Sequence, residues 1–288
     1  MTFSEKKISL TISLANGSFD NGANSATLEG YRVSSTIKVP GGETQGAMEC
    51  SVFGMSESLM NQLSTVGTQF NKIAQNKITL SAGDAASGMA TVFQGTLFSA
   101  FVDGQSQPHV AFRVLAVPGY YEKVKPVPST SVDGSADAAA MIKQLANQMG
   151  FQFENNGVVA KLASPYHSGS GLMQVKEITE AAGIAWCLEN GTLAIWERGK
   201  GRGTDTIEIS AETGMVGYPL FNQAQIIVKA LFNPAIRYGR AIKVMSELKP
   251  AVGTWNINNL THELDSQMPN GRWFTTIEAL TAAPATKS

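Results

Sequence analysis

The residues of this chain best suited to chemistry are its three histidines, its two cysteines and a few closely spaced carboxylates. His109, His167 and His262 lie far apart, and none has a second histidine at metal-ligand spacing. His262 is the most inviting for acid–base work, because Glu263 follows it and Asp265 is close. In a strand, however, His262 and Leu264 share one face while Glu263 and Asp265 share the other. The simpler reading is a surface histidine beside carboxylates. Glu177 and Glu180 are three residues apart on an expected helix, which fits a solvated face better than a glycosidase pair.

Two glycine-rich stretches have the composition of anion cradles. Ser168-Gly-Ser-Gly171 precedes an expected helix, where backbone N–H groups can hold an anion, yet it lacks the Lys-Ser/Thr ending of a P-loop. Gly199-Lys-Gly-Arg-Gly203 precedes a strand instead, and its three glycines read as a flexible joint. Helix-start and joint duty explain the two stretches. Cys50 and Cys187 form neither a disulfide framework nor a zinc spacing and are expected as buried free thiols. No catalytic residue, no cofactor site and no metal site is expected.

Composition narrows the classes further. At 288 residues the chain suits two or three domains, and 43% hydrophobic residues argue against disorder. A formal net charge of −1 gives no basic footprint for specific nucleic-acid binding. No run approaches the roughly 18 apolar residues of a membrane helix, and the first residues lack the apolar stretch of a signal peptide. Membrane insertion is not expected. Synthesis in the cytosol is.

The elements that must carry these residues fall into three parts. Residues 1–117 read as strand-rich. Ile8, Leu10, Ile12 and Leu14 alternate with polar residues, Leu28 to Val39 reads as one strand ended by Pro40-Gly41-Gly42, and further strands fall near 48–52, 78–80, 90–101 and 109–117. One short helix is expected over Met55 to Leu63, with Ser56 as N-cap and Gly67 as its stop. Residues 118–203 read as a small α+β module. Pro118, Pro126 and Pro128 with Ser129-Thr-Ser131 suggest a linker; Ala138, Met141, Ile142, Leu145, Ala146 and Met149 form a helical stripe, with Ser135 as candidate cap. A second helix over Leu172 to Ala182, stopped by Gly183, leads to a hairpin turning at Asn190-Gly191. Residues 204–288 return to strands near 207–209, 226–232, 240–246, 254–261 and 272–280, ending in a frayed tail.

This last part carries a resemblance. Leu231-Phe-Asn-Pro-Ala-Ile236, then Gly239-Arg240 and an Ile-Lys-Val strand, resembles the final domain of phage baseplate hub proteins. So do Gly253-Thr-Trp255, Leu260-Thr-His-Glu-Leu264 and Gly271-Arg-Trp-Phe274. Leu28-Glu-Gly-Tyr-Arg32, Met48 to Met55 and Met60-Asn-Gln-Leu63 resemble the first domain of the same group. The resemblance covers nearly the whole chain, through individually loose motifs shared with late-control tail proteins and type VI secretion spike hubs.

That resemblance implies a mainly β fold, with two tail-tube-like barrel or sandwich domains (1–117 and 204–288) flanking the α+β module (118–203). It implies a homotrimer joining a sixfold tail tube to a threefold central spike, without catalysis. The implied partners are the tube protein, a separate spike protein, other baseplate proteins and a tape measure protein. The implied place is the virion tail baseplate. Arg237, Arg240, Trp255, His262 and Trp273 become candidates for subunit or sheet contacts. The competing reading is a carbohydrate- or host-surface-binding β protein of a phage tail, with exposed Tyr166 and Trp196 stacking on sugars.

Overall fold

The computed structural model describes residues 4–16, 18–19, 22–40, 44–64, 76–105, 107–222 and 224–281. Gly41, Gly42, Gly67 and the tail from Pro284 therefore lie outside the described residues. The chain divides into two compact units. One comprises Met1–Lys38, Gly46–Tyr121 and Thr261–Phe274; the other comprises Val39–Gln45, Glu122–Leu260 and Thr275–Ser288.

The opening stretch supplies β1 (Lys6–Ser13), β2 (Ser25–Leu28), β3 (Arg32–Val39), β4 (Ala47–Phe53), α1 (Glu57–Leu63), β5 (Lys77–Asp84), β6 (Gly88–Asp103) and β7 (Ala111–Val117). Alternation explains their pairing. In the antiparallel register of β1 and β5, Ile8 faces Ala82, Leu10 faces Leu80 and Ile12 faces Ile78, so each apolar residue meets another on the buried face. Cys50 and Val52 likewise face Val114 and Phe112 across β4 and β7. The span from Leu28 to Val39 is two strands rather than one, because the chain turns at Gly30 with φ near 75°. Ser56 does cap α1, accepting from the Leu59 N–H, and the helix ends at Ser64.

The middle stretch supplies α2 (Tyr120–Val124), β8 (Thr130–Ser131), β9 (Ser135–Asp137), α3 (Ala138–Met149), β10 (Gln152–Asn156), β11 (Lys161–Ala163), β12 (Tyr166–His167), α4 (Gly171–Ala182), β13 (Ile184–Glu189) and β14 (Thr192–Glu197). Its core joins the α3 stripe to Leu172, Val175 and Ile178 of α4 and to Ile184, Leu193 and Ile195 of the sheet β10-β14-β13. The cap of α3 is Asp137, not Ser135. The Asp137 carboxylate accepts from Ala139 N–H at 2.8 Å and Ala140 N–H at 3.1 Å, while Ser135 pairs with Ala163 in a short ladder. Gly150 and Gly183 end the two helices in left-handed conformations. Asn190 and Gly191 turn the hairpin with φ of 52° and 74°, the two positive values that a type I′ turn demands.

The stretch that reads as a linker is pinned instead. The buried Gln174 amide accepts from Thr130 N–H and Oγ1 at 3.2 and 2.7 Å and donates to the Pro128 carbonyl at 3.0 Å.

The closing stretch supplies β15 (Thr206–Ile209), β16 (Leu220–Phe221), β17 (Gln225–Leu231), β18 (Ala241–Val244), β19 (Gly253–Ser266) and β20 (Trp273–Thr281). Ile226, Val228 and Ala230 of β17 point into a core with Ile242, Val244, Trp255, Ile257 and Ile277. In the second unit the strand order is β16-β17-β20-β19, with β18 beside β19 and β15 parallel to β18. In the first unit it is β19-β3-β4-β7-β6-β5-β1-β2, with β19 entering from Thr261 onward. The fold is mainly β, as expected. Among the described residues no helix is long and apolar enough to cross a membrane.

Candidate functional site

Among the described residues no group of three or more His, Cys, Asp or Glu could hold a metal ion. His262 is not on the surface: it is 4% exposed, on the same buried strand face as Leu260 and Leu264. Burial pushes its imidazole pKa down to about 4, which keeps it neutral. Glu263 and Asp265 do take the opposite face, where Arg272 holds both. His109 lies beside Arg32, whose guanidinium stacks 4.1 Å from the Phe53 ring centroid. His167 meets Glu177 of α4 at 3.1 Å, the nearest approach to an acid–base pair. Its Nε2 is enclosed in protein.

The cradle candidates resolve into structure. Ser170 caps α4 by accepting from the Met173 N–H, as helix-start duty requires. Trp196 is 5% exposed and packs edge-on to Tyr238, so it is closed to sugar stacking, whereas Tyr166 is 67% exposed.

Of the assembly candidates, Trp255 is buried and its indole N–H donates to the Ala251 carbonyl at 3.1 Å. Trp255 and His262 are thus interior groups of the single strand β19. Trp273 is half-buried with the Lys6 ammonium 5.9 Å from its ring centroid. Arg237 and Arg240 are half-buried as well.

Sequence reasoning missed Arg202. It lies within the glycine-rich stretch that reads as a flexible joint, yet its side chain is 0% exposed. Nε and Nη2 grip both oxygens of Glu154 at 3.0 and 2.9 Å, and Nη1 donates to Glu189 at 2.7 Å and to the Tyr238 carbonyl at 3.4 Å. Burial opposes the Arg202 charge, but its hydrogen bonds with Glu154 and the field of Glu189 hold its pKa above the ordinary value. The same hydrogen bonds pull Glu154 down to about 2 against partial burial, with Arg240 adding to the positive field. The only local signal was a charged residue set among glycines.

Exposed apolar side chains mark surfaces of a different kind. In the first unit Phe98 and Phe101 of β6 are about half exposed, with Phe98 edge-on to Tyr120. In the second, Tyr218 and Leu220 are 65% and 70% exposed, and Leu220 lies opposite the partly exposed Ile227. Exposed apolar area of this kind is the sort that protein–protein contacts cover.

Comparison with known proteins places this fold. A search of curated proteins found no sequence match. Among solved structures, the tail protein of Neisseria meningitidis MC58 superposes with a TM-score of 0.61 at 9% identity, covering 95% of this chain and 96% of that one. The 43 kDa tail protein of prophage MuSo2 from Shewanella oneidensis gives 0.59 at 8% identity, covering 96% of both chains. An E. coli component of the type VI secretion system, itself described as similar to T4 bacteriophage tail proteins gp27 and gp5, gives 0.56 at 9% identity over 88% of this chain and 74% of that one. At these identities the likeness is one of fold. The sequence itself matches a family over residues 8–278, which is nearly all of it, and by that match the chain belongs to the family described as Baseplate hub gp41, structural proteins of the tail baseplate.

Proposed function

We propose that the chain works as a trimeric adaptor, joining the sixfold tail tube to the threefold central spike of the baseplate without catalysing a reaction. The observation that carries this reading is the family match over residues 8–278. The reading divides the chain into tube-like parts at 1–117 and 204–288, with the α+β module 118–203 between them. Two strand-rich parts per chain, repeated in three copies, offer six roughly equivalent positions to a sixfold ring. Its partners would be the tube protein, a spike protein, other baseplate proteins and a tape measure protein, assembled on the virion after synthesis in the host bacterial cytoplasm.

Arg237, Arg240 and Trp273 are half-buried and would touch a neighbour, while Trp255 and His262 would serve by holding β19 in place. Exposed Phe98, Phe101, Tyr218 and Leu220 supply apolar area for the same contacts. Mass photometry of the purified chain, alone and with tube and spike proteins, tests the proposal. Particles of three times the chain mass that bind both partners are expected. A monomer at micromolar concentration that binds neither would overturn it.

A further inference from the structure

Three glycines in the five residues 199–203 are the composition of a hinge between the middle module and the closing strands. We infer that this segment is a clasp instead: Arg202 fastens the module to the closing strands, so that the two move as one rigid body within the second compact unit.

The contacts of Arg202 point in two directions. Toward the module it holds Glu154 of β10 and Glu189 of β13, strands on either side of β14. Toward the closing strands it reaches the Tyr238 carbonyl, and its backbone N–H donates to the Gly239 carbonyl at 2.6 Å. The Gly239 N–H in turn donates to Ile257 of β19 at 3.0 Å, so the connection runs into the sheet. Trp196 of β14 closes the seam against Tyr238, with ring centroids 5.7 Å apart. Gly239 belongs there because its φ is 80° and a Cβ would stand 2.8 Å from Trp196 Cζ2 and 3.1 Å from Arg202 Cβ.

A fully enclosed guanidinium is weakly screened by salt, so the clasp holds across ionic strengths that loosen surface pairs. Removing Arg202 leaves the enclosed Glu189 carboxylate without its cation, and the seam must then open to water. The inference does not depend on the adaptor reading. If that reading holds as well, any pull on the module passes directly to the closing strands.

Hydrogen exchange of the full chain tests it, with Arg202→Met and Arg202→Lys compared with wild type. Ile142→Val, which trims the module core, serves as the control for general loosening. In wild type, amides of 202 and 239 should be as protected as those of β14. In Arg202→Met, exchange across 199–203 and 236–241 should rise roughly tenfold or more while α3 is little changed. Arg202→Lys should fall between, because it keeps the charge and loses the fork. Ile142→Val should show the reverse pattern, with α3 loosened more than the seam. Wild-type amides at 202 and 239 that exchange as fast as an open loop would overturn the clasp. So would an Arg202 variant that loosens α3 and the seam equally. If Arg202→Met does not fold, Arg202→Lys and Gly239→Ala carry the same comparison.

Discussion

Arg272 and Asp265 close the turn between β19 and β20 with a two-pronged ion pair: Nε donates to Oδ2 at 3.0 Å and Nη2 to Oδ1 at 3.1 Å. The Arg272 backbone N–H adds a third bond to Oδ2 at 2.8 Å, and the same guanidinium reaches Glu263 at 2.8 Å and Ser34 at 2.9 Å. The arginine is partly exposed but the Asp265 carboxylate is nearly enclosed, so the two halves of the pair are not equally dispensable. Arg272→Ala is expected to cost about 1–3 kcal/mol, since it strands a buried carboxylate. Arg272→Lys should recover only part, lacking the fork. Urea unfolding of both variants decides it, and an Arg272→Ala midpoint equal to wild type would count against the pair.

His262 sets a pH dependence of known sign. Its folded pKa, about 4, lies below the ordinary histidine value because burial disfavours the cation. The unfolded chain therefore takes up the proton first. Stability should be fully present above about pH 6.5 and fall as pH drops toward 4, by a few kcal/mol in all. Burial opposes ionisation of Asp265, but its bonds with Arg272 lower its pKa overall, so it adds a second loss that begins as pH falls into the ordinary carboxylate range and continues below it. His262→Leu should flatten the first slope and leave the second. Thermal midpoints of wild type and His262→Leu collected from pH 7 down to about pH 2 separate the two.

How much of this was legible in the sequence depended on whether the signal was local. The alternation of Ile8, Leu10 and Ile12, the α3 stripe and the Asn190-Gly191 turn are set by neighbours a few residues away, and each appears where the pattern places it. Arg202 depends on Glu154, Glu189 and Tyr238, which lie 13 to 48 residues away and are brought in only by folding. Nothing in the periodicity of Gly199 to Gly203 announces them. His262 is a different failure. Its place between Leu260 and Leu264 on one strand face was readable, and the adjacent carboxylates drew the reading toward the surface.

Both thiols should be inert in the native protein. Cys50 is buried as expected, whereas Cys187 is only half-buried; desolvation raises each thiol to about 12, at Cys187 against the opposing field of Arg202. Because the thiolate is the nucleophile, labelling by an aromatic disulfide reagent at pH 8 should be slow for both and become fast in denaturant. Arg202→Met should further expose Cys187, 3.5 Å from the guanidinium, and leave Cys50 protected. Equal labelling of the two residues in that variant, mapped by peptide mass, would argue that the substitution unfolds the chain broadly.

Gly54 and Gly239 offer a matched pair that isolates the closeness of the seam from the strain of its backbone. Their φ values are 81° and 80°, so an alanine at either position pays the same left-handed penalty, about 1–2 kcal/mol. A Cβ at Gly54 meets nothing within 4 Å, whereas one at Gly239 would press on Trp196 and Arg202 at 2.8 and 3.1 Å. Neither neighbour has room to yield, because Trp196 is held against Tyr238 and Arg202 is held by two carboxylates. Gly239→Ala should therefore cost a further 1–3 kcal/mol or so, the usual penalty of overpacking. Denaturant unfolding of the two variants gives the difference directly. If both lose the same amount, the chain at 239 relaxes freely and the seam is looser than its distances imply.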